Sequence, residues 1–111
     1  MVLAKKILPE TLRSLAFGSI GAGYSGIGTS LDNPSRVILF QNLTDVQLLF
    51  SFDGINDHFP LASGTSFVLD VTANKTIDQG FFIAEGQRIY VKQDGTPTTG
   101  SVYVTNFYGV V

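Results

Sequence analysis

From Arg36 onward the chain falls into short runs of strand character, with turn residues every 8–12 positions. That rhythm fits a β-sandwich or small barrel, and it excludes alternation of strands with helices. Val37-Ile38-Leu39-Phe40 is a continuous apolar run, the pattern of a strand covered on both faces. Val46, Leu48, Phe50 and Phe52 alternate with Gln47, Leu49 and Ser51, the period of a half-buried strand. Residues 58–61 read as a short edge strand, because Pro60 has no N–H for a ladder. Residues 66–72, 81–83, 88–92 and 101–108 supply the remaining strands. Between them lie turn-rich segments such as Asp53-Gly54, where glycine takes positive φ without strain. No 20–50-residue repeat interrupts the pattern, which sets solenoids and propellers aside. The predicted core is Ile38, Phe40, Leu48, Phe50, Phe52, Phe67, Leu69, Val71, Ile83, Ile89, Val91, Val102 and Val104.

The first 34 residues differ. Residues 1–14 read as an extended N-terminal arm, and 15–111 as a single all-β domain, a small antiparallel β-sandwich or jelly-roll-like barrel. Residues 9–15 suit either one helical turn, with Pro9 in its first turn, or the lead into a strand. Gly18, Gly21, Gly23, Gly26 and Gly28 punctuate two short, weak strands. The arm is expected to be mobile in the free protein and ordered on binding. Pro9, Glu10 and Arg13 break the apolar stretch that an export signal requires. Asn42-Leu43-Thr44 and Asn74-Lys75-Thr76 are therefore expected to be polar turn residues rather than glycan acceptors.

Composition narrows the chemistry. A chain of 111 residues is one domain. It has no cysteine, hence neither a disulfide framework nor a thiolate metal site. The net charge of −2 offers no basic surplus for a phosphate backbone, so sequence-specific nucleic acid is not an expected partner. No apolar run has the length of a membrane-spanning helix. Charged residues are 14% of the chain, well below the usual ~25%. Surfaces covered by partners lose charge and gain aromatics in the same way.

Candidates for chemistry are few. The single histidine, His58, adjoins Asp57, but neighbours along a strand face opposite ways, so adjacency does not build a catalytic pair. Asp53, Asn56 and Asp57 offer hard oxygens to calcium, yet lack the spacing of an EF-hand, and Asp, Gly and Asn are what a tight turn needs anyway. A carboxylate pair for glycoside hydrolysis would come from Asp53, Asp57, Asp70, Asp78 and Glu85. Asp70 sits between Leu69 and Val71, where the reading is an outward side chain or a local turn contact. Tyr24, Tyr90, Tyr103 and Tyr108 are candidates for a sugar-stacking platform or for packing and interfaces. No catalytic, cofactor-binding or metal residue is assigned, and no cofactor is expected.

Three segments in order carry a resemblance. They are Ser35-Arg36-Val37-Ile38-Leu39-Phe40-Gln41-Asn42-Leu43-Thr44, then Ser51-Phe52-Asp53-Gly54, then residues 60–72 with Ala62-Ser63-Gly64 at their turn. Gly86 and Ile89-Tyr90-Val91-Lys92 follow. Over residues 35–108 this order resembles small structural proteins of tailed bacteriophages. The resemblance implies a non-enzymatic virion component with a β-sandwich fold, put together in the host cytoplasm. Its implied partners are further copies of itself and other virion proteins, either the major capsid protein or the portal and neck. A capsid decoration (cement) protein is preferred to a head–tail connector or tail-hub ring subunit, because little helix is available to grip a ring. A carbohydrate-binding adsorption module is the further alternative.

Overall fold

The computed structural model describes residues 6–70 and 86–110. Nine strands are present among them: β1 (Lys6–Pro9), β2 (Arg13–Ala16), β3 (Ser25–Gly26), β4 (Val37–Asn42), β5 (Leu48–Ser51), β6 (Phe59–Leu61), β7 (Thr65–Asp70), β8 (Tyr90–Gln93) and β9 (Ser101–Val110). A single 3-10 turn, Phe17–Ser19, follows β2. All pairings are antiparallel. One sheet runs β1-β9-β4-β7, with β2 beside β1 along the same long β9; the other runs β3-β8-β5-β6. The all-β sandwich read from turn spacing is thus the observed architecture.

Alternation places the core. In β4, Ile38, Phe40 and Asn42 are buried while Val37, Leu39 and Gln41 are half-buried. Val102 and Val104 of β9, Leu48 and Phe50 of β5, Val91 of β8 and the preceding Ile89 meet them in one cluster. Phe40 is its hub. It meets Phe50, Phe52 and Phe59 edge-on and stacks on Phe67, with ring centroids 5.2–6.2 Å apart. Such pairs add about 0.5–1.5 kcal/mol each beyond the area they bury.

Several expectations need correction. Phe67 is 40% exposed, not core, although it stacks on Phe40 and packs against Phe59; among the described residues β7 is the outermost strand of its sheet. Phe52 and Leu69 are partly buried against the core. The outer face of β4 is only half-covered, so its apolar run reflects a central position rather than a second layer on that side. Residues 6–9 and 13–16 pair with β9 within the chain itself, and residues 17–19 form a 3-10 turn where a strand was expected. Val71, Ile83, the strand expected at 81–83, Asn74, Asp78 and Glu85 lie outside the described residues. Ile20, Ile27, Leu31 and Leu61 join the core from segments without strand periodicity.

Glycines decide two close approaches. Gly100 has φ +87°, and a Cβ there would collide with the Leu43 carbonyl at the start of β9. A Cβ on Gly26 would run into the Arg88 guanidinium, which lies between that backbone and the Tyr90 ring.

Candidate interaction surfaces and the His58 loop

The connection between β5 and β6 holds the histidine and two of the aspartates. Asp53 organises it. Its Oδ1 accepts the N–H groups of Ile55 (2.8 Å) and Asn56 (2.9 Å) and the Ser51 hydroxyl (2.8 Å), and its Oδ2 accepts Asn56 Nδ2 (2.8 Å). These donors, led by the Asn56 N–H, hold the Asp53 carboxyl far below the usual carboxylate range. Oxygens saturated by N–H and O–H donors are poor calcium ligands. Among the described residues, no group of three or more His, Asp or Glu converges as a metal cage would require.

His58 is bound into the same loop. Its Nδ1 accepts the Phe52 N–H at 2.9 Å, which leaves the proton of the neutral ring on Nε2, 3.9 Å from Asp53 Oδ2. Ser51 Oγ lies 3.5 Å from Nδ1, so a serine, a histidine and an acid do meet. Their roles are wrong for nucleophilic catalysis. The Ser51 proton goes to Asp53, and its oxygen accepts the Asp53 and Gly54 N–H groups at 3.1 and 3.0 Å. Ser51 is also only 1% exposed, whereas a nucleophile must reach substrate. The sequence reading missed Ser51 because its burial breaks the alternation of β5.

Asp57 faces elsewhere. Tyr24 donates its hydroxyl to Asp57 Oδ1 at 2.5 Å, and Lys92 Nζ lies 2.9 Å from the same oxygen. Lys92 also sits 4.8 Å above the Tyr24 ring. The hydrogen bond from Tyr24, then that from Lys92, lowers the Asp57 pKa. Burial and the Asp57 bond raise that of Tyr24. The four tyrosines do not form one platform. Tyr24 and Tyr90 share the outer face of the β3-β8-β5-β6 sheet, because Val91 between Tyr90 and Lys92 points inward. Tyr103 alternates with inward Val102 and Val104, so it lies on the outer face of the opposite sheet. Tyr108 is half-buried near the end of β9, opposite Leu8. Asp70 ends β7, exposed and opposite Val37.

One lateral corner of the sandwich is clasped by charge. Arg13 opposes Val104 and therefore points between the sheets, 6% exposed. It donates from Nε to Thr29 O (2.9 Å) and from Nη2 to Ser30 O (2.8 Å), carbonyls just beyond β3. Its Nη1 lies 2.8 Å from Glu10 Oε1, whose side chain is 4% exposed. Glu10 accepts Asn33 Nδ2 in turn. Burial pushes the Glu10 pKa up, but hydrogen bonds from Asn33, Arg13 and the Asp32 N–H outweigh it and hold it below the ordinary value. An open cavity of about 220 Å³ beside this clasp is lined by residues that include Thr11, Ser14 and Asp32.

Among the described residues, five of the eight exposed large apolar side chains lie at the two lateral margins of the larger sheet, while Phe17, Leu43 and Ile55 lie in turns and loops. Ile7, Leu8 and Leu12 lie along the β1–β2 margin, and Phe67 and Val68 along β7. No family model matches the chain, and neither a curated protein nor a solved structure does so.

Proposed function

We propose that the chain is a non-enzymatic structural subunit of a tailed-phage particle, most naturally a decoration (cement) protein on the head. The observation that carries this reading is the placement of its apolar exposure. Ile7, Leu8 and Leu12 on one margin and Phe67 and Val68 on the other form two separate sticky edges. A subunit with an adhesive margin on each side is suited to bridging two neighbours, which is the task of a clamp on a shell. The polar groups that chemistry would need are engaged instead in shaping loops: Asp53 and His58 in the β5–β6 connection, Asp57 with Tyr24 and Lys92. The order of segments over residues 35–108 adds the phage resemblance.

Heating particles with and without this protein tests the placement. Filled heads lacking it are expected to rupture at lower temperature. Heads of unchanged heat stability that leak DNA or lack tails would instead indicate a head–tail connector.

A further inference from the structure

The mouth of the β5–β6 loop is closed in part by a side chain. The pairing of β5 with β6 ends at Phe50 opposite Phe59. One backbone bond follows, from the His58 N–H to Phe50 O at 3.0 Å. The Phe52 N–H, two residues on, goes to Nδ1 of His58 at 2.9 Å. A ring nitrogen thus ties the first residue after β5 to the last residue before β6. That bond carries a chemical condition. Nδ1 accepts only while it holds no proton, because the imidazolium has two N–H donors and no acceptor.

We propose that His58 is an acid-released latch on this loop: its neutral ring closes the mouth, and a second proton on the ring opens it. Once protonated, Nδ1 turns a donor toward the Phe52 N–H, and the two repel. The ring has another partner within reach. Nε2 lies 3.9 Å from Asp53 Oδ2, too far for a hydrogen bond while Phe52 holds the ring, and a charged ring is drawn to that carboxylate. Ser51 Oγ does not compete, since it already accepts the Asp53 and Gly54 N–H groups. Among the described residues, the other charged or titratable groups on this side are committed elsewhere. Lys92 of β8 and Tyr24 before β3 both bind Asp57, and Arg88 donates to Gly28 O and lies over the Tyr90 ring. The Phe52 ring tilts against the imidazole at 5.7 Å, and Gln87 Nε2 donates to Phe52 O, so Phe52 stays anchored when its N–H is released. The new pair with Asp53 offsets the lost bond. Opening is therefore local to the loop, and global unfolding does not report it. The inference concerns the isolated chain and does not rest on the phage particle, which the heating experiment tests separately.

Amide hydrogen exchange of the full chain, followed residue by residue by NMR as protection factors, tests the latch. Histidine is the side chain that ordinarily changes charge between pH 8 and pH 5, and His58 is the single histidine of the chain. Asp53 and Asp57, both held below the ordinary carboxylate range, stay ionised across that window. The Phe52 amide is expected to lose protection at least about tenfold from pH 8 to pH 5, the scale of one hydrogen bond. The Asn56 amide, held by Asp53 Oδ1, is expected to keep its protection. His58→Asn offers an amide oxygen near the place of Nδ1 and takes no proton in this range. It is expected to leave Phe52 equally protected at both pH values. Should that variant misfold, the comparison of Phe52 with Asn56 in the wild-type chain decides alone. Phe52 protection unchanged down to pH 5, a fall shared equally by Asn56, or the same fall in His58→Asn would each overturn the proposal.

Discussion

Asn42 is where the sequence misleads most. It stands in a glycosylation-like triplet before a turn, yet it is completely buried at the end of β4. Its Nδ2 donates to Val46 O and Leu61 O at 2.9 and 2.8 Å, and its Oδ1 accepts the Thr44 N–H and hydroxyl at 3.0 and 2.6 Å. One amide therefore ties β4, its following turn and β6 together. The Thr44 and Val46 contacts are local to the turn, but Leu61 becomes a neighbour only after the sheets stack, so sequence alone could not reveal the link to β6. Asn42→Ala is expected to cost about 3 kcal/mol in urea unfolding, because it leaves several buried groups unpaired. The acidic residues set a pH dependence. Glu10, Asp45, Asp53 and Asp57 all have folded pKa values below their ordinary ones; Asp45 is lowered chiefly by the Thr98 hydroxyl. Depressed carboxyls contribute stability that is present above the unfolded pKa and lost as pH falls through the folded values. The midpoint denaturant concentration should be flat from about pH 5 to 8 and fall below about pH 4. Tyr24 acts oppositely: its raised pKa gives stability present below about pH 10 and lost above it. Tyr24→Phe should flatten the alkaline limb.

The strands of the two sheets differ in how plainly the sequence announces them. β4, β5, β7, β8 and β9 are long or alternate cleanly, and their positions follow from period two and the intervening turns. Which strand lies at an edge is set by long-range pairing, so the exposure of Phe67 was not legible. Nor was the fate of residues 6–16, whose partner is β9 at the far end of the chain. Phe40→Ala removes the ring that touches four others and is expected to destabilise by about 3–5 kcal/mol, measured by thermal or urea unfolding. Arg13→Ala tests the corner. It strands the Glu10 carboxylate and frees the Thr29 and Ser30 carbonyls, with an expected loss of about 3–5 kcal/mol. Limited proteolysis should then cut between β1 and β2 before the rest of the chain, whereas the wild-type chain resists there. Early cutting of the wild-type chain at the same place would contradict the clasp.

At the scale of the molecule, the polar contacts described hold loops and one corner, and most of the large exposed apolar side chains among the described residues lie at the margins. His58 illustrates the division. The sequence offers it as a candidate base, and the fold uses its Nδ1 to receive the Phe52 N–H. Asp53 and Asn56 follow the turn reading, while the pairing of Asp57 with Tyr24 and Lys92, Ser51 and the Arg13–Glu10 pair emerge only in three dimensions. The proposed function accordingly lies in association. Quantitative mass spectrometry of purified tailed-phage particles, searched for this chain, tests the proposed role most directly. A cement protein on the head should be present at on the order of hundreds of copies per particle, as repeated shell symmetry requires. About a dozen copies would contradict the shell placement in favour of a ring, and absence from the particle would contradict the structural role itself.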